Sequence, residues 1–309
     1  DPEWSACTPT TARDMSAVGY YFGRKLVTEL NVPIGLISSA FSGKPIEDFL
    51  PDPPNDRKAY NAMIHPQIPF AIRGVIWYQG ETNLMKEGID GRPLSYVAKK
   101  KELINSWRAL FGNDLPFYYV QLAPYNYSKH GSGVVLPFFW EAQSQVLDEV
   151  PDTGMAVITD VGNARNIHPT NKEVPGTRLA LLALDNTYGY DIVSTGPVFQ
   201  SLQVAGNTLE VAFDSAVGLT TSDGKAPDGF EIAGVDQIYH TATARINGSK
   251  VTLSSPNVTE PTAMRFAWSE TVGPNLRNGA GLVASAFRAA EPTSPVFIND
   301  PIDKPDASI

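Results

Sequence analysis

Apolar positions recur along this chain at two different periods, and the change of period divides it. Over residues 15–30, MSAVGYYFGRKLVTEL, the side chains Val18, Tyr21, Phe22, Leu26 and Leu30 fall at helical spacing and form a stripe suited to lying on a sheet. Asn31 ends it. Residues 32–39, VPIGLISS, read as a short buried strand, AFSGKP at 40–45 is its exit turn, and a small helix from Ile46 follows. DPPND at 52–56 is a loop, and the run 60–70 is punctuated by Pro66 and Pro69. Residues 71–83, AIRGVIWYQGETN, then change character in mid-run. Val75-Ile76-Trp77-Tyr78 has the β-branched and aromatic content of a strand buried on both faces. It stops at Gln79-Gly80-Glu81-Thr82-Asn83, a cluster of amides, a carboxylate and a hydroxyl around a flexible glycine.

The alternation continues. Residues 95–111 form a helix with Tyr96, Val97, Leu103, Ile104, Trp107 and Leu110 on its inner face, 116–123 a strand, 137–150 a helix and 155–160 a strand. A polar loop over 161–172 leads into a helix with Pro175 in its first turn, extending through Leu184. Strand and helix in this order predict an α/β fold with a mostly parallel sheet covered on both faces. Three strand ends carry polar turns, at 38–43, 79–83 and 160–168, and ligands bind at the carboxyl edge of such sheets. From about Asp191 apolar residues alternate with polar or small ones, as in Leu209-Glu210-Val211-Ala212-Phe213 and Val251-Thr252-Leu253. Gly206-Asn207, Asp223-Gly224 and Asn247-Gly248 supply turn signals between them. The expectation is two modules: an α/β core over 1–190 and a β-rich, sandwich-like module over 191–309.

Composition narrows the function classes. The 309 residues are 42% hydrophobic and 18% charged, an ordinary globular balance. A formal net charge of −9, with no basic cluster interleaved with aromatics, argues against a nucleic-acid partner. No apolar run approaches the roughly 18 residues that cross a bilayer, and the first residues, DPEWSACTPTTARD, lack the basic and apolar regions of a signal peptide. Cys7 is the single cysteine, which excludes an internal disulfide and a cysteine-based zinc site.

His168, in Asn166-Ile167-His168-Pro169, is the candidate for proton transfer, because an imidazole titrates near neutrality and this one sits at a strand-end loop. Of the other histidines, His65 precedes Pro66 in a packing segment, His130 lies in a Gly/Ser/Lys-rich loop and His240 falls in the β-rich half. A metal centre from His65, His168 and Asp160 is conceivable but lacks metal-ligand spacing, so no metal or other cofactor is expected.

The runs GVIWYQGETN, NVPIGLISSAFSGKPIEDF, YNAMIHPQIPFAIRG and IHPTNKEVPGTRLALLAL resemble the sialate O-acetylesterase family of SGNH-type carbohydrate esterases, in order from Trp4 to Arg288. That resemblance implies a flavodoxin-like three-layer α/β/α core, a serine nucleophile working with a histidine, no metal, and removal of acetyl groups from sugar hydroxyls, often those of sialic acid. It puts the family's histidine at His168, its second block at Ser42-Gly43 and its QGE[ST]N block at 79–83. The Gly43 N–H and the side-chain amide of Gln79 or Asn83 would then face the oxyanion.

Two departures follow. The family's Gly-Gln-Ser-Asn nucleophile block occurs nowhere in these 309 residues. The expected partner is therefore an upstream segment or separate chain bearing the serine, with Ser39 and Ser42 as in-chain substitutes. Many SGNH enzymes also carry an aspartate three residues before the histidine, where this chain has Arg165. Glu81 and Asp160 are the candidates to orient the imidazole, with a serine–histidine dyad as the third option. Arg165 is a candidate for an acidic sugar's carboxylate, and Trp77, Tyr78, Tyr125 and Trp140 for stacking on a sugar. An acetylxylan esterase and a non-catalytic carbohydrate-binding relative are the rival functions, and the family alone suggests a secreted or periplasmic protein.

Overall fold

The computed structural model describes residues 4–51, 59–87, 94–112, 115–128 and 133–290. The loop expected at 52–56, His130 and the last part of the β-rich half, 291–309, lie outside the described residues. Helix α1 (Ala17–Leu30) starts where the Ser16 hydroxyl accepts from the Gly19 N–H at 3.2 Å, and it ends at Asn31, whose φ of 53° is a left-handed cap. A single 3-10 turn, Ile46–Phe49, stands where a small helix was expected. The proline-punctuated run folds as a π-helical turn, Tyr60–Ile64, and a 3-10 turn, His65–Gln67.

Then come β1 (Val75–Trp77), α2 (Glu81–Glu87), α3 (Leu94–Phe111), β2 (Phe117–Val120), α4 (Val135–Glu149), β3 (Thr153–Ala156) and α5 (Glu173–Asn186). The three strands form one parallel sheet in the order β1-β2-β3, with Val75 opposite Phe117 and Phe117 opposite Thr153. Successive side chains of β2 point to opposite faces. Phe117 and Tyr119 join Trp77, Leu103, Ile104, Trp107 and Trp140 in one buried cluster under α3 and α4. Tyr118 and Val120 join Leu26, Ile158, Leu179 and Leu182 in another, under α1 and α5. Full burial of each such side chain stabilises by roughly 1.5–3 kcal/mol, so both layers are held by the sheet between them.

Three expectations are corrected. Residues 32–39 form no strand and belong to no ladder among the described residues. β1 is not fully covered on both faces: Val75 and Ile76 are half-buried, and among the described residues the strand has a ladder neighbour on one side only. The polar run after β1 is a turn only at Gln79 and Gly80, since Glu81, Thr82 and Asn83 already form the first turn of α2.

Every described element beyond α5 is a strand: β4 (Val198–Ala205), β5 (Thr208–Asp214), β6 (Thr220–Thr221), β7 (Phe230–Ala233), β8 (His240–Thr241), β9 (Thr243–Asn247), β10 (Lys250–Ser254), β11 (Ala263–Phe266), β12 (Leu276–Arg277) and β13 (Phe287–Ala290). They make two four-stranded antiparallel sheets, β4-β5-β10-β9 and β13-β11-β7-β8, and a small pair, β12-β6. Ala205 pairs with Thr208 and Asn247 with Lys250, so both hairpins turn on two residues that begin with a left-handed glycine, Gly206 and Gly248. Phe287 of one sheet meets Phe199 and Phe213 of the other at ring-centroid distances of 5.0 and 5.7 Å. This half joins the first through Trp268 on Phe138, 5.4 Å between centroids, and through the Arg288–Glu141 ion pair at 2.9 Å.

Candidate active site

The turn after β1 is held by its own side chains. Buried Asn83 accepts at Oδ1 from the Ile46 N–H (2.9 Å) and from the Gln79 amide (2.6 Å), and donates from Nδ2 to the Glu47 carboxylate at 2.9 Å. Gln79 Nε2 also donates to the Lys44 carbonyl at 3.2 Å, while its Oε1 accepts from the Tyr96 hydroxyl at 3.2 Å. The exit turn of residues 40–45 is thereby bolted to the exit turn of β1. The expectation that the side-chain amide of Gln79 or Asn83 donates to an oxyanion is corrected: both Gln79 amide protons are spent within the protein, and Asn83 is only 1% exposed. Gly80 has φ +150°, and a Cβ there would stand 2.8 Å from the Phe139 ring, so glycine lets this turn lie against α4.

Gly43, at φ +69°, is exposed and has open space around it. Its N–H has no backbone partner among the described residues.

Glu81 begins α2 and points into a partly dry cluster. Burial raises its carboxyl above the usual range, and the charges of His168 and Lys172 pull it partly back. Lys172 in turn is lowered by burial, and its ammonium lies 5.5 Å from the centre of the Tyr78 ring. Tyr78 and Tyr127 have hydroxyls pushed up by burial first and by the Glu81 charge second. The Tyr125 and Tyr127 rings meet edge to face at 4.9 Å. Lys172 and Tyr127 escaped the sequence reading. The available signals were the four-residue step from His168 to Lys172 and the period-two pair Tyr125, Tyr127.

His168 is exposed, on a turn held by backbone contacts: its N–H donates to the Asn166 Oδ1 at 2.9 Å, and the Arg165 N–H to the Asn163 Oδ1 at 2.9 Å. Asp160 does not join it. Both Asp160 oxygens accept from the Arg178 guanidinium at 2.7 Å, a fork-to-fork pair that leaves Glu81 as the carboxyl within electrostatic reach of the imidazole. Arg165 is exposed on the same turn. The Ser39 hydroxyl donates to the Met63 carbonyl at 3.2 Å, and neither it nor exposed Ser42 bonds to His168 among the described residues. Trp77 and Trp140 are core residues rather than sugar platforms, Trp140 donating its indole N–H to the Leu122 carbonyl at 2.7 Å. Tyr78 and Tyr125 are half-buried near the cluster. His65 is exposed against Tyr60, and no group of three His, Cys, Asp or Glu gathers as a metal site among the described residues.

An exposed imidazole within electrostatic reach of a carboxyl raised by burial has the chemistry to move a proton. Comparisons with known proteins point the same way. The family described as "Carbohydrate esterase, sialic acid-specific acetylesterase" matches residues 3–173. The sialate O-acetylesterase of Homo sapiens is 29% identical over 75% of this chain and 52% of its own length, and that of Rattus norvegicus 27% over 71% and 51%. The chain thus spans about half the length of these curated relatives. The crystal structure of a carbohydrate acetylesterase from Xanthomonas citri superposes with a TM-score of 0.85 at 40% identity, covering 93% of this chain and 68% of that one. No described helix is long and apolar enough to cross a membrane.

Proposed function

The chain belongs to the carbohydrate esterase family of sialic acid-specific acetylesterases, and from that premise we propose that it supplies the base and the oxyanion side of a carbohydrate O-acetylesterase acting on O-acetylated sialic acid. The nucleophile is a serine hydroxyl from outside these 309 residues. It attacks the acetyl carbonyl while His168 takes its proton, and the oxyanion accepts a hydrogen bond from the Gly43 N–H. One such donor typically lowers the barrier by about 3 kcal/mol. The tetrahedral intermediate collapses as the bond from carbonyl carbon to sugar oxygen breaks, and His168 returns the proton to that oxygen. Water, deprotonated by His168, then attacks the acetyl-serine, acetate departs and the serine recovers its proton.

Glu81 is the partner that stabilises the imidazolium through this cycle, and Arg165 lies on the rim for the carboxylate of the acidic sugar. Gln79 and Asn83 act one step back, by fixing the turn that presents Gly43. A secreted or periplasmic site of action goes with this substrate class. The observation that carries the reading is exposed His168 within electrostatic reach of half-buried Glu81, whose carboxyl burial raises.

The test is acetate release from O-acetylated sialic acid and from acetylated xylan by this chain together with its serine-bearing partner segment. Preferred release from sialic acid, abolished by His168→Ala, is the expected result. Preference for xylan makes it an acetylxylan esterase, and no release from either makes it a non-catalytic carbohydrate-binding relative.

A further inference from the structure

The two halves of the molecule meet at the segment that leaves β2, and one buried carboxylate makes the junction. Glu270, two residues after the Trp268 that packs on Phe138 of α4, is 1% exposed. Both its oxygens are taken by Ser128: Oε2 accepts from the Ser128 N–H at 2.9 Å and Oε1 from the Ser128 hydroxyl at 2.6 Å. The Glu270 N–H donates in turn to the Gly133 carbonyl at 2.9 Å, just ahead of α4. A carboxylate is costly to bury unless it is hydrogen-bonded, and bonds to its charged form are the strong ones.

Residues 124–126, just before Ser128, are fastened to the turn that carries His168. The Asn163 N–H donates to the Pro124 carbonyl at 3.0 Å, and the Asn126 N–H to the Ala164 carbonyl at 3.4 Å. Gly162 permits this approach, because a Cβ there would stand 2.6 Å from the Pro124 carbonyl oxygen. From Asn163 the bonds continue to the histidine: the Asn163 carbonyl accepts from the Asn166 N–H at 3.2 Å, and the Asn166 Oδ1 accepts from the His168 N–H at 2.9 Å. The same segment carries Tyr125 and Tyr127, both half-buried, and the Tyr127 hydroxyl is pushed up by burial first and by the Glu81 charge second.

We propose that Glu270 is a positioning residue for the turn that carries His168, acting from the β-rich half through Ser128 and the backbone of residues 124–126. Its carboxylate bonds Ser128 rather than the imidazole, so its influence is mechanical and passes along the chain of hydrogen bonds. An exposed imidazole on a turn is placed only as firmly as the supports of that turn. A displacement of about 1 Å at a reacting group can cost about 10²-fold in rate, so a support remote from the chemistry still matters to it. The β-rich half thereby becomes part of what aims the histidine. The coupling stands on hydrogen-bond geometry, whereas its consequence for acetate release rests on the acetylesterase reading.

Amide hydrogen exchange on this chain reads the coupling without any turnover. Glu270→Gln keeps the side chain's size while removing its charge and one acceptor. Ser128→Ala deletes the hydroxyl bond at a half-buried position, and it carries the test should Glu270→Gln fail to fold. Exchange faster by about tenfold at residues 124–128 and 163–168 is expected in Glu270→Gln, and a smaller increase at the same places in Ser128→Ala, with β5 and β10 unchanged. No change, faster exchange at residue 128 alone, or an equal increase in both halves overturns the inference, the last by reducing Glu270 to a source of general stability. In the acetate-releasing preparation Glu270→Gln lowers kcat by about tenfold and leaves KM nearly as it was. An unchanged kcat in a preparation that His168→Ala silences also overturns it. Release that survives His168→Ala sinks the acetylesterase reading instead, and the exchange result then decides the coupling.

Discussion

The turn at 79–83 and the turn at 163–168 carry similar residue types, polar side chains at the carboxyl ends of parallel strands, and the structure uses them in opposite ways. In the first, amide and carboxylate groups are consumed by one another: Asn83, Gln79, Glu47, Tyr96 and the Lys44 carbonyl form a buried brace. In the second, asparagines hold the backbone while the imidazole is left in solvent. The difference teaches that a polar cluster at a sheet edge is reactive only where its side chains have no partner within the fold. Buried polar groups that do have partners are scaffold, expensive to disturb.

Substitution on each side should separate the two roles. His168→Ala in the acetate-releasing preparation lowers kcat/KM by about 10²–10⁴-fold, while the melting temperature of the chain stays put. A melting temperature that falls with activity would erase the contrast. Asn83→Ala does the reverse: it orphans the Ile46 N–H and the Glu47 carboxylate, costs about 3 kcal/mol in denaturant unfolding, and lowers activity only through the displaced Gly43 turn.

Glu81 sits between the two turns, and Glu81→Gln sharpens the comparison. Its carboxyl is raised in the folded state, so the folded chain holds more protons than the unfolded one, and stability falls as pH rises from 4.5 towards the raised value. Glu81→Gln removes that fall, gaining stability at neutral pH while losing about tenfold or more in kcat. Equal activity would return the imidazole to a serine–histidine dyad.

Lys100 lies behind the brace, its ammonium fully buried on the Tyr119 ring at 3.0 Å and without a hydrogen-bond partner among the described residues. Burial holds it well below its usual 10.5, so the unfolded chain binds the extra proton and stability rises with pH up to 10.5. Lys100→Met flattens that slope and stabilises by about 1 kcal/mol near neutral pH. Arg165→Ala has the smallest effect expected here, within about 0.5 kcal/mol on stability, but it lowers the preference for sialic over neutral acetyl sugars.

The α/β alternation was legible because helix and sheet periods are written locally. The helices at 17–30, 94–111, 135–149 and 173–186 stand within a few residues of their expected bounds. His168 and Glu81 were legible as candidates from residue type and place. What misled was proximity in sequence taken for availability. Asp160 sits at a strand end, as an orienting carboxylate would, yet Arg178, one helix later, claims both its oxygens. Gln79 and Asn83 look like donors until Lys44, Ile46 and Glu47 arrive from some thirty-five residues upstream. Tyr127 and Lys172 were missed because burial, not spacing, ties them to Glu81.

By itself the sequence determined which segments are helices and strands, the two textures of the chain, and the supply of imidazole, carboxyl and turn glycine. Those follow from side-chain periodicity and backbone freedom, which neighbours along the chain decide. Tertiary structure decided which polar groups remain free for chemistry, and that β1 pairs on one side only among the described residues. Hydrogen-bond capacity is finite and is spent by residues that only folding brings together.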